Sequence, residues 1–356
     1  MKRRMTIYDN LLWTVLLLMI WCVSSCSDDN EPMDGDTLQL LSYSREFEDV
    51  TRSATVPAGY QLYSVQHPEV AEEGHAICTY LTVAPQEASL RRFVYETDRW
   101  HSNAIVKDGV DYYIYGYLPM NAVEDVGISP FQDDYSLGAT LHLSGIDFFS
   151  NKDISLIVGV KGTESVDANV EVKTGNFLYQ AKGRNHNHVY LLFDHLYSAL
   201  RFSIRVDQNY AEMRKIHIKS IVLTSSATSK VDADIVMKPG ATPINSITYY
   251  TSTDEAKGEY TLLDSEHELT TTYETLGVPT YFASGASVNL KLQCLYDVYD
   301  RKNNLVRKDC TSENKLQDVL QTIKRGERRT IKLTVKPTFI YVLSDPDLDS
   351  PTVVTE

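Results

Sequence analysis

Residues 200–206, LRFSIRV, set Leu200, Phe202, Ile204 and Val206 at alternate positions, with Arg201, Ser203 and Arg205 between them. Alternation with period two puts the apolar set on one face of an extended chain and the polar set on the other; a helix of 3.6 residues per turn cannot do this. The pattern continues through KIHIKSIVL (215–223), VDADIV (231–236), YFASGASVNLKLQCLYDVYD (281–300) and RRTIKLTV (328–335). No stretch sustains helical periodicity. The 23 tyrosines, with abundant Val, Ile and Thr, suit pleated and half-buried surfaces. The expectation is an all-β chain.

Further strands are expected near 37–44, 59–66, 76–84, 90–96, 111–118, 138–144, 154–161 and 176–181, separated by Gly, Pro, Asp and Asn clusters at intervals that suit a sandwich. About 330 residues exceed what one core usually holds. QAKGRNHNH (180–188) is the best junction, which divides the chain into domains at 37–183 and 184–343 and leaves a tail at 344–356. FIYVL (339–343) is apolar on both faces, so it must be covered on both, in this chain or in a neighbour.

The N-terminus reads as an address. Lys2, Arg3 and Arg4 precede an apolar core at 11–22, and Val23-Ser24-Ser25-Cys26 closes it. This is the plan of a secretory signal peptide over 1–25, with an apolar run too short to span a bilayer comfortably. An uncut anchor helix would have little reason to end in two serines and a cysteine. The closing residues resemble the lipobox of bacterial lipoproteins, with Cys26 as the lipid-bearing residue. Residues 26–36 form an acidic tether, and Ser27-Asp28-Asp29-Asn30-Glu31 resembles the signal that sends Bacteroidetes lipoproteins to the outer face of the outer membrane.

Residues 1–25 carry three basic groups and one acid, so their removal takes the net charge from −14 to −16. Such a chain has no electrostatic reason to bind nucleic acid or an anionic membrane surface. No nucleophile elbow, phosphate loop, dinucleotide fingerprint or zinc-protease helix appears in the sequence. His186, His188 and His195 have a spacing that could hold zinc, but their junction position reads as loop. Asp345, Asp347 and Asp349 alternate like calcium ligands, but Ser350 stands where such a loop needs glycine. No metal or cofactor is expected.

Export allows disulfides. Cys294 and Cys310 flank a hairpin, CLYDVYDRKNNLVRKDC. A three-residue loop at 301–303, closed by Asp300 and Asn304, would set Cys294 opposite Cys310, Val298 opposite Val306 and Asp297 opposite Arg307. A two-residue turn at Asn303-Asn304 would put the thiols out of line. Cys78 would then be free and buried.

The lipobox and tether, DVTRSATV (49–56), RWHSNAIVKDGVDYYIYGYLP (99–119), VYLLFDHLYSALRFSI (189–204) and GERRTIKLTV (326–335) followed by PTFIYVLSDPDLDSP together resemble the fimbrillin family, the subunits of Bacteroidetes type V pili. The resemblance spans nearly the whole mature chain. It implies two tandem transthyretin-like β-sandwich domains, no catalytic activity, and a structural or adhesive subunit of a fimbria. It implies export as a lipoprotein, then cleavage by an arginine-directed protease in the loop after the first strand. Another subunit's strand fills the groove so opened. On this sequence the first strand is 37–44, and the cut follows Arg52 or Arg45. Donor-strand candidates are 338–343 and 352–355, although the Asp and Pro run before Thr352 is a poor strand former. Implied partners are other pilus subunits, the outer membrane through the lipid on Cys26, and host or bacterial surface ligands. The alternative is a pilus anchor or surface binding protein that keeps its lipid and its first strand, whose mark would be a groove around Tyr112, Tyr113, Tyr115 and Tyr117; alternation instead reads these tyrosines as packed in the sheet, since it buries one face.

Overall fold

The computed structural model describes residues 36–37, 39–45, 48–50, 62–63, 76–83, 88–96, 99–102, 104–163, 172–182, 187–251, 257–277, 280–283, 290–316, 323–339 and 346–355. Eighteen strands organise it. They are β1 (Gln39–Arg45), β2 (Glu48–Val50), β3 (Ala76–Thr82), β4 (Ser89–Glu96), β5 (Asp111–Leu118) and β6 (Asp125–Phe131). Next come β7 (Asp134–Asp147), β8 (Ser155–Thr163), β9 (His188–His195), β10 (Ser198–Val206), β11 (Arg214–Thr228) and β12 (Lys230–Met237). The last are β13 (Ile244–Thr251), β14 (Lys257–Glu268), β15 (Lys291–Asp300), β16 (Leu305–Lys315), β17 (Glu327–Phe339) and β18 (Pro346–Thr355). The one α-helical turn among the described residues, Gln208–Ala211, is capped by Asp207, whose side chain accepts from the amides of Asn209 and Tyr210.

Four large sheets result. A nine-stranded sheet runs from Leu62–Tyr63 through β1, β9, β8, β5, β3 and β4 to Arg99–Ser102, with Leu178–Gln180 added on β5. A four-stranded sheet has the order β6-β7-β12-β13, and a second has the order β14-β11-β15-β16. A seven-stranded sheet carries Phe149–Ser150, Thr280–Phe282, β10, β17 and β18 in that order, with Glu274–Thr275 on β10 and β2 on β17. Strand pairing crosses the junction expected at 183/184 five times: β8 and β1 pair with β9, β7 pairs with β12, β2 pairs with β17, and Phe149–Ser150 pairs with Tyr281–Phe282. The chain therefore returns to the first sheets after the junction, a course that local composition does not encode.

One contiguous core fills the space between the inner faces, and it draws on Tyr115, Leu141, Leu192, Ile235, Phe202, Ile218, Leu292 and Leu333. Tyr115 Oη donates to Tyr135 O at 2.6 Å and Tyr80 Oη to Val126 O at 3.0 Å, so each tyrosine buries its ring and still satisfies its hydroxyl. A second cluster, including Ile77, Phe93, Tyr112, Ile114, Leu191 and Phe193, covers the other face of the nine-stranded sheet. Tyr112, Tyr115 and Tyr117 are thus packed inside the sheet layers, with Tyr113 half-buried against the core.

The alternation at 200–206 is present, with one difference. Leu200, Phe202, Ile204 and Val206 face the core, but the opposite face is not open to water. Tyr273 lies over it, 4.4 Å from the Arg205 guanidinium and 5.2 Å from the Lys332 ammonium, and its hydroxyl is 3.0 Å from Thr334 Oγ1. Ser203 and Thr334 are buried beneath it.

Candidate functional site

The first strand and the end of the chain meet the body of the protein at two strand edges. In β9, HVYLLFDH, every residue is buried. Val189, Leu191 and Phe193 belong to one cluster, and Tyr190 and Leu192 to the other. A strand apolar on both faces needs layers above and below it and ladder partners on both sides. β8 pairs with it antiparallel on one side. On the other side β1 pairs with it in parallel, from His188 opposite Gln39 to Phe193 opposite Ser44. The first strand expected at 37–44 is therefore a strand, divided between Asp36–Thr37, which pairs with Ile105–Val106, and β1.

Arg45 is the last residue of β1 and not a loop residue, and it stands opposite Leu62. Within the loop expected after the first strand, Glu48–Val50 form β2, parallel to Glu327–Arg329 of β17. Arg52 and Cys26 lie outside the described residues, as does the stretch 340–345 that includes most of the donor candidate 338–343. The tail expected at 344–356 is largely strand: β18 pairs antiparallel with β17, from Phe339 opposite Pro346 to Leu333 opposite Thr355. Asp-Pro and Ser-Pro are tolerated because β18 is an edge strand, where a missing N–H need not interrupt a ladder on both sides. β2 and β18 share one edge of β17, end to end.

The corner where β9 passes into β10 is held by charge. Arg325 Nη2 lies 3.0 Å from Asp194 Oδ2, and its Nη1 donates to the His195 carbonyl oxygen. His195 Nδ1 is 2.6 Å from Asp153 Oδ2, which also accepts from Ser155 Oγ at 2.9 Å. Asp194 and His195 are buried. A buried pair of this kind is costly to break, because removing one partner leaves the other charge uncompensated. These contacts place the turn before β17 against the end of β9, beside the positions where β1 ends and β2 begins.

The other candidates fall elsewhere. His186 is outside the described residues, and His188 and His195 stand at opposite ends of β9. Asp347 and Asp349 lie on an extended strand, and Asp345 is outside the described residues. Among the described residues, no group of three or more His, Cys, Asp or Glu side chains is placed to hold a metal ion. No helix among them is long and apolar enough to cross a membrane.

Cys294 and Cys310 are free thiols, and the register expected between them is corrected by the structure. The loop itself is as expected: Asp300 N donates to Asn304 O at 2.9 Å, Asn303 N to Asp300 O at 3.1 Å, and Asn303 takes φ of 65°. Two register shifts follow, one on each side of Val298 opposite Arg307, and Asp309 adopts φ of 54°. Beyond them Cys294 faces Ser312 and Tyr296 faces Cys310. The bulge is stitched by Asp297, whose Oδ1 accepts from Asp309 N at 2.7 Å, and by Lys219, which bridges Asp297 and Asp309. Burial pushes the Cys78 thiol up to about 11 and the Cys294 thiol up to about 12, and it raises half-buried Cys310 as well. Since the thiolate is the nucleophile, iodoacetamide at pH 8 is expected to label Cys310 first in the native protein. Cys78 and Cys294 should react only after unfolding. Protection of Cys310 until a reductant is added would reveal a disulfide instead.

No protein-family model matches this sequence, and no curated protein does. Among solved structures, the chain is similar to a fimbrial protein from Bacteroides vulgatus, at 14% identity and a TM-score of 0.46, over 90% of this chain and 98% of that one. It is also similar to the fimbrial anchor protein Mfa2 from Porphyromonas gingivalis, at 11% identity and a TM-score of 0.30, over 89% of this chain and 95% of that one.

Proposed function

We infer that the chain is a subunit or anchor of a cell-surface pilus. In this reading it is exported as a lipoprotein on Cys26, and it becomes competent for strand addition when its first strand is removed. The observation that carries the inference is the parallel pairing of β1 with β9. Because both faces of β9 are buried, losing β1 would leave an edge of unpaired N–H and C=O groups above a formed core. A strand from another subunit satisfies such an edge through main-chain bonds, with alternate side chains supplying specificity. Cleavage after Arg52 would remove β1 and β2 together, and so free part of the β17 edge too.

One observation favours the anchor form. β18 is docked on β17 of its own chain, so a subunit donating its C-terminal strand must first release it. An anchor that keeps both ends in place has no such cost.

The intact mass and N-terminal sequence of the protein taken from the cell surface separate the two forms. A chain beginning at Ser53 would identify a polymerising subunit. A chain beginning at acylated Cys26 would identify an anchor or a surface lipoprotein that keeps its first strand. A chain with neither end would remove the basis of the proposal.

A further inference from the structure

The outer face of the β6-β7-β12-β13 sheet carries one side chain from each strand in a continuous hydrogen-bonded row. Ser129 Oγ on β6 lies 2.9 Å from His142 Nε2 on β7, and His142 Nδ1 lies 2.7 Å from Asp234 Oδ1 on β12. Tyr250 on β13 donates its hydroxyl to Asp234 Oδ2 at 2.9 Å. Register produces the row. His142 stands opposite Gly127 on one side and Asp234 on the other, and Asp234 stands opposite Thr248. Ser129 and Tyr250 are each two residues further along the outer strands, on the same face.

The direction of the hydrogen bonds follows from the groups. An ionised carboxylate only accepts, so Nδ1 carries the hydrogen. In the neutral ring Nε2 is then the acceptor, and Ser129 donates to it. A hydroxyl is thus aimed at a base whose tautomer is fixed by a carboxylate, the relation of nucleophile, base and orienting group that activates serine on unrelated folds.

We propose that Ser129 is an acyl-acceptor site for activated acyl donors, thioesters or aryl esters. Ser129 Oγ attacks the acyl carbon, and the new C–O bond forms as the bond to the leaving thiolate or aryloxide breaks. The hydroxyl proton passes to His142 Nε2 and from there to the leaving group, with no change of oxidation state. The site is open: the His142 side chain is 43% exposed and that of Asp234 is 35% exposed. Gly127, opposite His142, has no side chain to fill the space beside the imidazole.

Magnitudes limit what the site can do. A positioned general base contributes about 10²–10⁴-fold. An oxyanion donor contributes about another 10²–10³-fold. Strand N–H groups lie in the plane of the sheet, so they do not point out of this face at an acyl oxygen. The acyl group must therefore arrive on a good leaving group. Once on Ser129 it stays there, which makes this a modification site and not a centre of turnover. The inference is independent of the pilus reading.

The full chain would be treated with p-nitrophenyl acetate, and acetyl occupancy at each hydroxyl followed by peptide mass spectrometry. Ser129 is expected to acetylate at least tenfold faster than Ser246, an exposed serine on β13. The rate at Ser129 should fall about 100-fold in His142→Gln. Asp234→Asn, which preserves shape, should also slow it, and nitrogen NMR should show that the His142 ring has lost its Nδ1–H preference. Matching melting temperatures would establish that both variants are folded. Acetylation of Ser129 no faster than Ser246, or a rate unchanged in His142→Gln, would overturn the proposal.

Discussion

Alanine at position 175 is expected to lower the melting temperature by roughly 4–6 °C, corresponding to about 3–4 kcal/mol in a chain of this size. Two independent costs add. Gly175 has φ of 79°, where a β-carbon costs about 1–2 kcal/mol. The added carbon would also overlap the carbonyl oxygen of Gly240, a main-chain atom that cannot rotate aside. Forcing such an approach costs about 1–3 kcal/mol more. The contact is fixed on both sides: Gly175 N donates to Val158 O at 2.7 Å, and Gly240 N donates to Gly175 O at 3.2 Å. The first bond ties the segment to β8 and the second ties it to the turn between β12 and β13, so neither side can retreat without losing a layer contact. Gly240→Ala is the control. Its φ of 129° also disfavours a side chain, but nothing lies within 4 Å of the added carbon. It should cost less than half as much. Equal melting temperatures for the two variants would show that the close approach plays no part.

That Gly–Gly contact also shows where sequence stops being informative. The all-β class was legible because alternation and β-branched and aromatic content are local properties, and LRFSIRV folds with the expected residues inside. The hairpin at 300–304 was legible too, since Asp, Asn and a three-residue loop carry their own geometry. Its register was not. The bulge at Asp309 depends on Lys219 and Asp297, which lie 90 and 12 residues away. Strand β18 was masked by aspartates and prolines that disfavour strands, because only its ladder with β17 makes it one. The Ser129–His142–Asp234 row needed two registers across a span of 92 residues between its base and its carboxylate. No spacing rule reaches that far. The pairing of β1 with β9 was not legible either, because nothing local in VYLLFDH says that a strand from the start of the chain covers its edge.

A chain shortened to begin at Ser53 should be close to the limit of stability, and a peptide spanning residues 36–50 added in trans should restore it. Six residue pairs join β1 to β9, and three join β2 to β17. At about 1 kcal/mol net for each hydrogen bond, their loss is comparable with the whole stability of a typical protein, about 5–15 kcal/mol. The loss is not spread evenly. It falls on β9, which holds both core clusters in place through Val189, Leu191, Leu192 and Phe193. It also falls on the start of β17, next to the Arg325–Asp194 pair. The shortened chain should therefore melt well below the full chain, and its melting temperature should rise with peptide concentration as binding to the folded form requires. A peptide with Leu40 and Ser42 replaced by proline tests the ladder directly, because proline has no N–H to contribute. It should restore nothing. If the chain from Ser53 melts with the full chain, or ignores the peptide, then β1 is not what closes the β9 edge, and strand addition at that edge loses its physical basis.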